Sequence, residues 1–412
     1  MTTPPSASPR GAFYAVSVLT VMNLLNYVDR YVPSAVKDLF KADLGMTDAE
    51  TSLPLTAFVI VYMVMSPVFG SLSDRVPRKW VIAGGVTLWS LATAAAAGAV
   101  GFWSFLFARA LVGVGEAAYA TLAPSLISDF YPPLKRNRIL TFFYVAIPVG
   151  AAVGFAVGSV LGEKYGWRVA FLACGLPGIL AAVAALKIED PGRGTFDDDK
   201  GAAPPSWPDA LRQLARNRTY VITVAGYTLV TFASGALADW FPTLLSRMRG
   251  MSLDQAGTIT GTATVVGGLG GTIVGGLLAD RLANKVKNPY LAVSGLSMAV
   301  ATVLAVAGIS VTGPWMIGLF ILLTQFFMWF YNGPINSVLV NCVPSALRAR
   351  AFSFSILCIH LLGDAVSPFV VGLLSDWTGN LILAISVVPV TLLLGTLVWL
   401  YGWRTLKPQA AT

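Results

Sequence analysis

The stretch FYAVSVLTVMNLLNYVDRYVPSAVKDLF, Phe13 to Phe40, is apolar enough to cross a membrane, yet it carries an acid and a base side by side, Asp29 and Arg30. At a rise of about 1.5 Å per residue, a helix over this run spans the hydrocarbon core and places the pair near mid-membrane depth. A lipid-facing acid or base at that depth costs at least about 2.5–3.5 kcal/mol, so both residues should face a wet cavity or a partner inside a bundle. The pair therefore reads as a candidate transport site.

The remainder of the chain is built in the same way. Of its 412 residues 56% are hydrophobic and only 12% charged, against about 25% charged in soluble globular domains, which makes it a polytopic membrane protein. The start, MTTPPSASPRG, has one Arg and leads into a run too long for a signal-peptide core, with no small-residue cleavage site, so the first span should stay attached. Apolar runs bounded by charge, Gly or Pro predict twelve spans, at about 12–40, 50–73, 79–99, 102–129, 137–162, 166–187, 219–246, 253–278, 289–310, 314–343, 349–374 and 380–403.

The net charge of +8 is a topology signal rather than a nucleic-acid signal. With the N-terminus inside, twenty Lys and Arg fall in inner segments, six fall outside (Lys37, Lys41, Lys164, Arg168, Arg247, Arg249), and Arg30 and Arg109 lie in the membrane. That asymmetry puts both termini in the cytoplasm, and no nucleic-acid partner is expected. The longest hydrophilic segment, Ile188 to Arg218, suits a linker by its Gly, Pro and acidic content, and within it Trp207 to Arg216 reads as a short amphipathic helix on the inner membrane surface. The expected organisation is an N-terminal six-helix bundle over 1–187, a cytoplasmic linker over 188–218 and a C-terminal six-helix bundle over 219–412. Asn217-Arg218-Thr219 falls inside and should carry no glycan.

An internal repeat supports the division. Gly70-Ser-Leu-Ser-Asp74-Arg75-Val-Pro-Arg78-Lys79 follows span two, and Gly276-Leu-Leu-Ala-Asp280-Arg281-Leu-Ala-Asn-Lys285 follows span eight, with Gly, Asp and Arg at the same offsets 206 residues apart.

These loops, with Arg109-Ala-Leu-Val-Gly113-Val-Gly115-Glu116 in span four, resemble the signature motifs of the major facilitator superfamily. The stretches LNYVDRY around Asp29-Arg30, RALVGVGEAAY around Arg109 and Glu116, and HLLGDAVSP from His360 to Pro368 are similar to the Spinster family, whose members are lysolipid and sphingosine-1-phosphate transporters. The resemblance implies an all-α integral membrane protein. Its twelve transmembrane helices would form two pseudo-symmetric six-helix bundles whose rocking exposes a central cavity to each side in turn, with spans one, four, seven and ten lining it. It also implies that Asp74, Arg75, Arg78, Asp280 and Arg281 form an inner gate of salt bridges. Pro77 and Ala283 stand where the family has a glycine, so the loop geometry is not carried over in detail.

In span one, Asn23, Asn26, Tyr27, Arg30 and Ser34 recur at i, i+3, i+4, i+7 and i+11, a polar stripe down one helix. Asp29 lies about 100° from Arg30, so the two should look toward different partners. In span four, Arg109, Gly113 and Glu116 share a face, and Glu116 is the expected correspondent of both Arg30 and Asp29. It could neutralise Arg30 in the empty site or carry a proton in the filled one, since burial favours a carboxylate's protonated form. Arg109 reads either as helix-packing and coupling machinery or as a substrate contact. In the second half Gln325, Trp329, Asn332 and Asn336 share a face of span ten, and Tyr227, Thr231 and Ser234 a face of span seven. Amide, hydroxyl and aromatic groups suit a cavity that holds a polar head and an apolar body. His360 and Asp364, at i and i+4 in span eleven, could relay protons or simply stiffen the helix by an intramembrane hydrogen bond.

The expected function is that of a secondary active transporter moving an amphipathic anion, a lysophospholipid or sphingosine-1-phosphate-like lipid, by proton-coupled alternating access. Arg30 would bind the phosphate, with Asn23, Tyr27, Tyr227, Thr231, Trp329, Asn332 and Asn336 around the substrate. Asp29 and Glu116 would couple protons, with Arg109, His360 and Asp364 as further candidates. The alternative is a proton-coupled carrier of a small organic anion or drug-like compound. There is no G-x-x-x-x-G-K-[ST] phosphate loop, so ATP-driven transport is not indicated. A single histidine and three apolar-flanked cysteines, Cys174, Cys342 and Cys358, leave no metal set and no nucleophile with a base, so no cofactor, metal or enzyme activity is expected. A monomer among membrane lipids, in a bacterial inner (cell) membrane, completes the expectation.

Overall fold

The structure, a computed structural model, describes residues 9–73, 75–192, 206–283 and 285–406, which are helical apart from short connections and contain no strand. It divides into two compact units, Met1–Asp199 and Lys200–Thr412, with the border inside the hydrophilic segment 188–218. Among the described residues eleven helical segments are long and apolar enough to cross a membrane.

Unit 1 contains α1 (Pro9–Ala35), α2 (Lys37–Leu44), α3 (Asp48–Leu72), α4 (Arg78–Ala96), α5 (Phe102–Phe130), α6 (Pro133–Tyr165), α7 (Trp167–Gly175) and α8 (Pro177–Ala185). The first predicted span is shorter than expected. The chain leaves the helix at Val36, whose ψ of 19° is not helical, and restarts as α2. Thr47 starts α3 with a capping box, its hydroxyl accepting from the Glu50 amide while the Glu50 carboxylate accepts from the Thr47 amide. Helix α4 is the twelfth span. It packs tightly against α5: a Cβ on Gly115 would sit 2.5 Å from the Gly85 carbonyl oxygen, so only glycine permits that approach. Gly154 likewise lets α6 meet α1 at Val28, where a Cβ would lie 2.6 Å from the carbonyl oxygen. Small residues thus fix α4 to α5 and α6 to α1 at close quarters.

Unit 2 contains α9 (Trp207–Arg216), α10 (Arg218–Arg249), α11 (Leu253–Thr262), α12 (Gly268–Leu282), α13 (Pro289–Ser310), α14 (Pro314–Met328), α15 (Asn332–Asn341), α16 (Ser345–Ile359), α17 (Ser367–Thr378), α18 (Leu381–Ile385) and α19 (Val387–Thr405). A π-turn at Ala263–Gly267 joins α11 to α12, a 3-10 turn at Trp329–Tyr331 joins α14 to α15, and a second π-turn at His360–Asp364 lies between α16 and α17. Asn217 caps α10 by accepting from the Tyr220 amide at 3.0 Å and donates to the Cys342 carbonyl at 2.6 Å. Helix α9 docks on its own unit through Ala210 and Leu214, which pack with Tyr220, Val224, Leu339 and Leu347.

Candidate functional site

Asp29 and Arg30 of α1 and Arg109 and Glu116 of α5 resolve into two ion pairs inside unit 1. Arg30 donates from Nη2 to Glu116 Oε2 at 2.5 Å, with Glu116 fully buried and the Arg30 side chain 21% exposed. Arg109 donates from Nη1 to Asp29 Oδ1 at 3.2 Å, and both side chains are only 1% exposed. Thr93 of α4 donates its hydroxyl to the other Asp29 oxygen. Glu116 is therefore not the common partner of Asp29 and Arg30 that the sequence reading expects. The 100° between neighbouring residues turns Asp29 to a different side, where Arg109 and Thr93 meet it.

Three aromatic rings wall Arg30. Its guanidinium carbon lies 4.7 Å from the Tyr27 ring centroid, 5.0 Å from Phe58 and 5.7 Å from Tyr62. Such faces attract a cation and shield it from water. Phe58 also serves Arg109, at 5.8 Å, so one ring is shared by the two guanidinium groups. Arg30 Nε and Glu116 Oε1 are buried and have no hydrogen-bond partner among the described residues, which leaves each pair member with capacity for a further group. Of the other polar residues of α1, Asn23 donates to the Phe143 carbonyl at 3.0 Å and so ties α1 to α6, while Asn26 is buried with its Nδ2 unpartnered among the described residues. Sequence reasoning missed Phe58, Tyr62 and Thr93. The first two are aromatics at i and i+4 in an apolar run, and Thr93 is a hydroxyl in an alanine-rich one; neither pattern carries a signal without the neighbouring helix.

In unit 2 the polar face of span ten is divided. Trp329 donates to Gln325 at 3.3 Å within its own segment, Asn332 reaches Thr272 of α12 at 3.5 Å, and Asn336 donates to the Asn332 carbonyl at 2.6 Å while also bonding Tyr227 of α10. The 3-10 turn at Trp329–Tyr331 winds tighter than an α-helix and breaks the single stripe. Tyr227 meets Tyr331 edge-on at 5.2 Å. Thr231 is buried against Gly363, its hydroxyl without a partner among the described residues. His360 Nδ1 lies 2.9 Å from Asp364 Oδ2, both within the π-turn and about one-third exposed. Unit 2 thus brings Tyr227, Asn336 and Asn332 together and keeps Thr231 with the π-turn.

Of the loop-motif residues, Asp74 lies outside the described residues. Arg78 is 2% exposed and spends its guanidinium within unit 1, on Asp129 at 2.5 Å and Asp190 at 2.5 Å, binding the start of α4 to the end of α5. Arg75, Asp280 and Arg281 are exposed, and Tyr290 hydrogen-bonds Asp280. Cys174 is buried, Cys342 and Cys358 are half-buried, and all three are free thiols.

The arrangement has the chemistry of anion binding by exchange. A partly exposed cation neutralised by a buried carboxylate releases its bond to an incoming anion only if the carboxylate finds another counter-charge or a proton. The profile described as Major Facilitator Superfamily matches residues 19–368. "Protein spinster homolog 1" of Homo sapiens is 35% identical over 393 residues, covering 90% of this chain and 74% of that protein. "Protein spinster" of Drosophila melanogaster is 33% identical, and the chain spans 63% of its length. The crystal structure of a bacterial homologue of the human lysosomal transporter Spinster, in an inward-facing and occupied conformation, superposes with a TM-score of 0.85 at 21% identity, over 98% of this chain and all of that one. A D-xylose–proton symporter shares the fold at a TM-score of 0.73 and 17% identity, over 96% of this chain and 98% of that one. An integral membrane protein of twelve spans, with its motif residues at 70–79, 109–116 and 276–285, the chain belongs to the Major Facilitator Superfamily and, within it, to the Spinster family of transporters.

Proposed function

We propose that the protein is a proton-coupled secondary transporter of an amphipathic anion, such as a lysophospholipid or a sphingosine-1-phosphate-like lipid, working by alternating access. The observation that carries this reading is the Arg30–Glu116 pair: a partly exposed guanidinium, walled by aromatic rings and neutralised by a fully buried carboxylate 2.5 Å away. A phosphate suits the planar guanidinium fork better than it suits an ammonium. When the anion takes Arg30, Glu116 loses its counter-charge in a low-dielectric setting, and a proton restores neutrality. Binding of anion and proton is thereby linked through one bond that breaks.

Asp29 and Arg109 neutralise each other and add no net charge, so one guanidinium serves the substrate. That favours a single anionic head over a dicarboxylate, and the rings beside Arg30 favour an apolar body attached to it. Tyr227, Asn332 and Asn336 are the unit 2 groups proposed to meet the substrate, and His360 with Asp364 a second proton-accepting pair. We further propose that both termini are cytoplasmic, on the asymmetry of Lys and Arg, and that the protein is a monomer in a bacterial cell membrane.

The test is flux into proteoliposomes under an imposed pH gradient, with lysophospholipids, sphingosine-1-phosphate and small organic anions compared side by side. Arg30→Ala should abolish lipid uptake, and Glu116→Gln should leave residual uptake that no longer responds to the gradient. Uptake of small acids alone would overturn the substrate class, and retained gradient dependence in Glu116→Gln would remove that residue from coupling.

A further inference from the structure

Helix α9 carries more apolar surface than its docking uses. Ala210 and Leu214, at i and i+4, are buried against α10, α15 and α16 and fix the helix on unit 2. Beside that stripe, at about 100° per residue, run Trp207, Leu211 and Ala215. They are exposed, Trp207 to 50% and Leu211 to 38%. Past Pro208 around the helix come two arginines, Arg212 and Arg216, both exposed. Asp209 and Gln213 follow on the far side, with Asp209 held by the Ser206 hydroxyl at 2.5 Å. The circumference therefore passes from protein contact to exposed apolar side chains, to cations, to neutral and acidic groups.

The neighbours extend the pattern. Arg350 of α16 stacks 5.0 Å over the Trp207 ring. Arg218, the first residue of α10, bonds the hydroxyl of Tyr401 near the end of α19 at 2.5 Å, and Tyr401 is itself exposed. Arg348 is exposed close by in sequence to Arg350. A tryptophan and a tyrosine, each beside an arginine, mark the level at which spans leave the hydrocarbon core for the headgroups.

We propose that α9 is a docking surface for the anionic phospholipids of the bilayer. Trp207 and Leu211 enter the acyl boundary, and Arg212 and Arg216 hold phosphate headgroups. Charge complementarity selects this occupant: the exposed apolar strip is bordered by cations on the side away from the protein, as interfacial helices are. A helix so held fixes the end of unit 2 at which α10 begins to the membrane surface.

The experiment is hydrogen–deuterium exchange of the full chain in nanodiscs of phosphatidylcholine alone and of phosphatidylcholine mixed with phosphatidylglycerol. Amides of α9 should exchange more slowly in the anionic discs at low salt, by up to about fivefold for each arginine near the surface, or roughly thirtyfold for the two. The difference should vanish at high salt and in the Arg212→Gln/Arg216→Gln variant, with α10 and α16 amides unchanged as the check on folding. Equal exchange in the two kinds of disc would overturn the proposal, as would slowing that survives high salt. Slowing that grows with protein concentration would assign the face to a second copy of the chain instead. None of these readouts depends on transport.

Discussion

Replacing Asp29 by Asn should destabilise unit 1 far more than replacing Glu116 by Gln, although both remove one buried carboxylate from the same pair of helices. Asp29 is the counter-charge of Arg109, whose side chain is 1% exposed and has no route to water. Removing one partner of a buried pair leaves an uncompensated charge and costs about 3–5 kcal/mol. For a unit near 200 residues each kcal/mol moves the midpoint by roughly 2–4 °C, so Asp29→Asn should lower Tm by about 6–20 °C. Arg30, by contrast, is 21% exposed and lies against three rings. These groups stabilise the cation after the carboxylate is gone, and the loss in Glu116→Gln should be less than half as large. Thermal unfolding of the purified protein in detergent, followed by intrinsic fluorescence, measures both. The double variant Asp29→Asn/Arg109→Gln removes the charges together and should recover most of the loss, since the two effects are not independent. An Asp29→Asn shift under about 2 °C, or a double variant as unstable as the sum of the singles, would refute the pairing argument.

Two further outcomes follow from unit 1. Gly115→Ala drives a methyl group into the Gly85 carbonyl and the Trp89 backbone, at 2.5 and 2.6 Å, and should cost about 1–3 kcal/mol, read as a lower Tm. Outside the spans, hydrogen bonds from the Arg168 guanidinium and the Trp167 indole hold the Asp43 carboxyl below the usual carboxylate range. The unfolded chain then takes up the proton more readily, so this contribution is present above a pH of about 4 and is lost as the pH falls through the folded value. The Tm difference between wild type and Asp43→Asn should therefore shrink on acidification, and a difference constant with pH would count against it.

Much of unit 1 was legible because intramembrane charge is costly and therefore informative. Asp29, Arg30, Arg109 and Glu116 stand out against apolar runs, and helical geometry alone separates Asp29 from Arg30. What the sequence reading could not supply was which helix each residue meets. Asp29 finds Arg109 and Thr93 because the fold brings α5 and α4, locked together at Gly85 and Gly115, beside α1, and such contacts are tertiary. The twelve spans were readable from hydropathy, but the breaks within them were not. The turn at Val36, the 3-10 turn at Trp329–Tyr331 and the π-turn at His360–Asp364 each depart from a period that a sequence pattern assumes to be constant. The stripe predicted for span ten consequently divides between α12 and α10. Helix α9 was legible as amphipathic, but its docking through Ala210 and Leu214 was not, because two apolar residues look the same whether they meet lipid or protein.

The two ion pairs have one consequence for motion. Helix α1 presents an acid followed by a base, and α5 a base followed, seven residues on, by an acid, so the charges match in one alignment only. Sliding or rotating either helix by a turn would break both pairs and leave four charges stranded in a low-dielectric interior. The set works as a register key. Helices α1 and α5 must move as a block through any conformational change, or else separate only after a proton or an anion has taken the place of one partner.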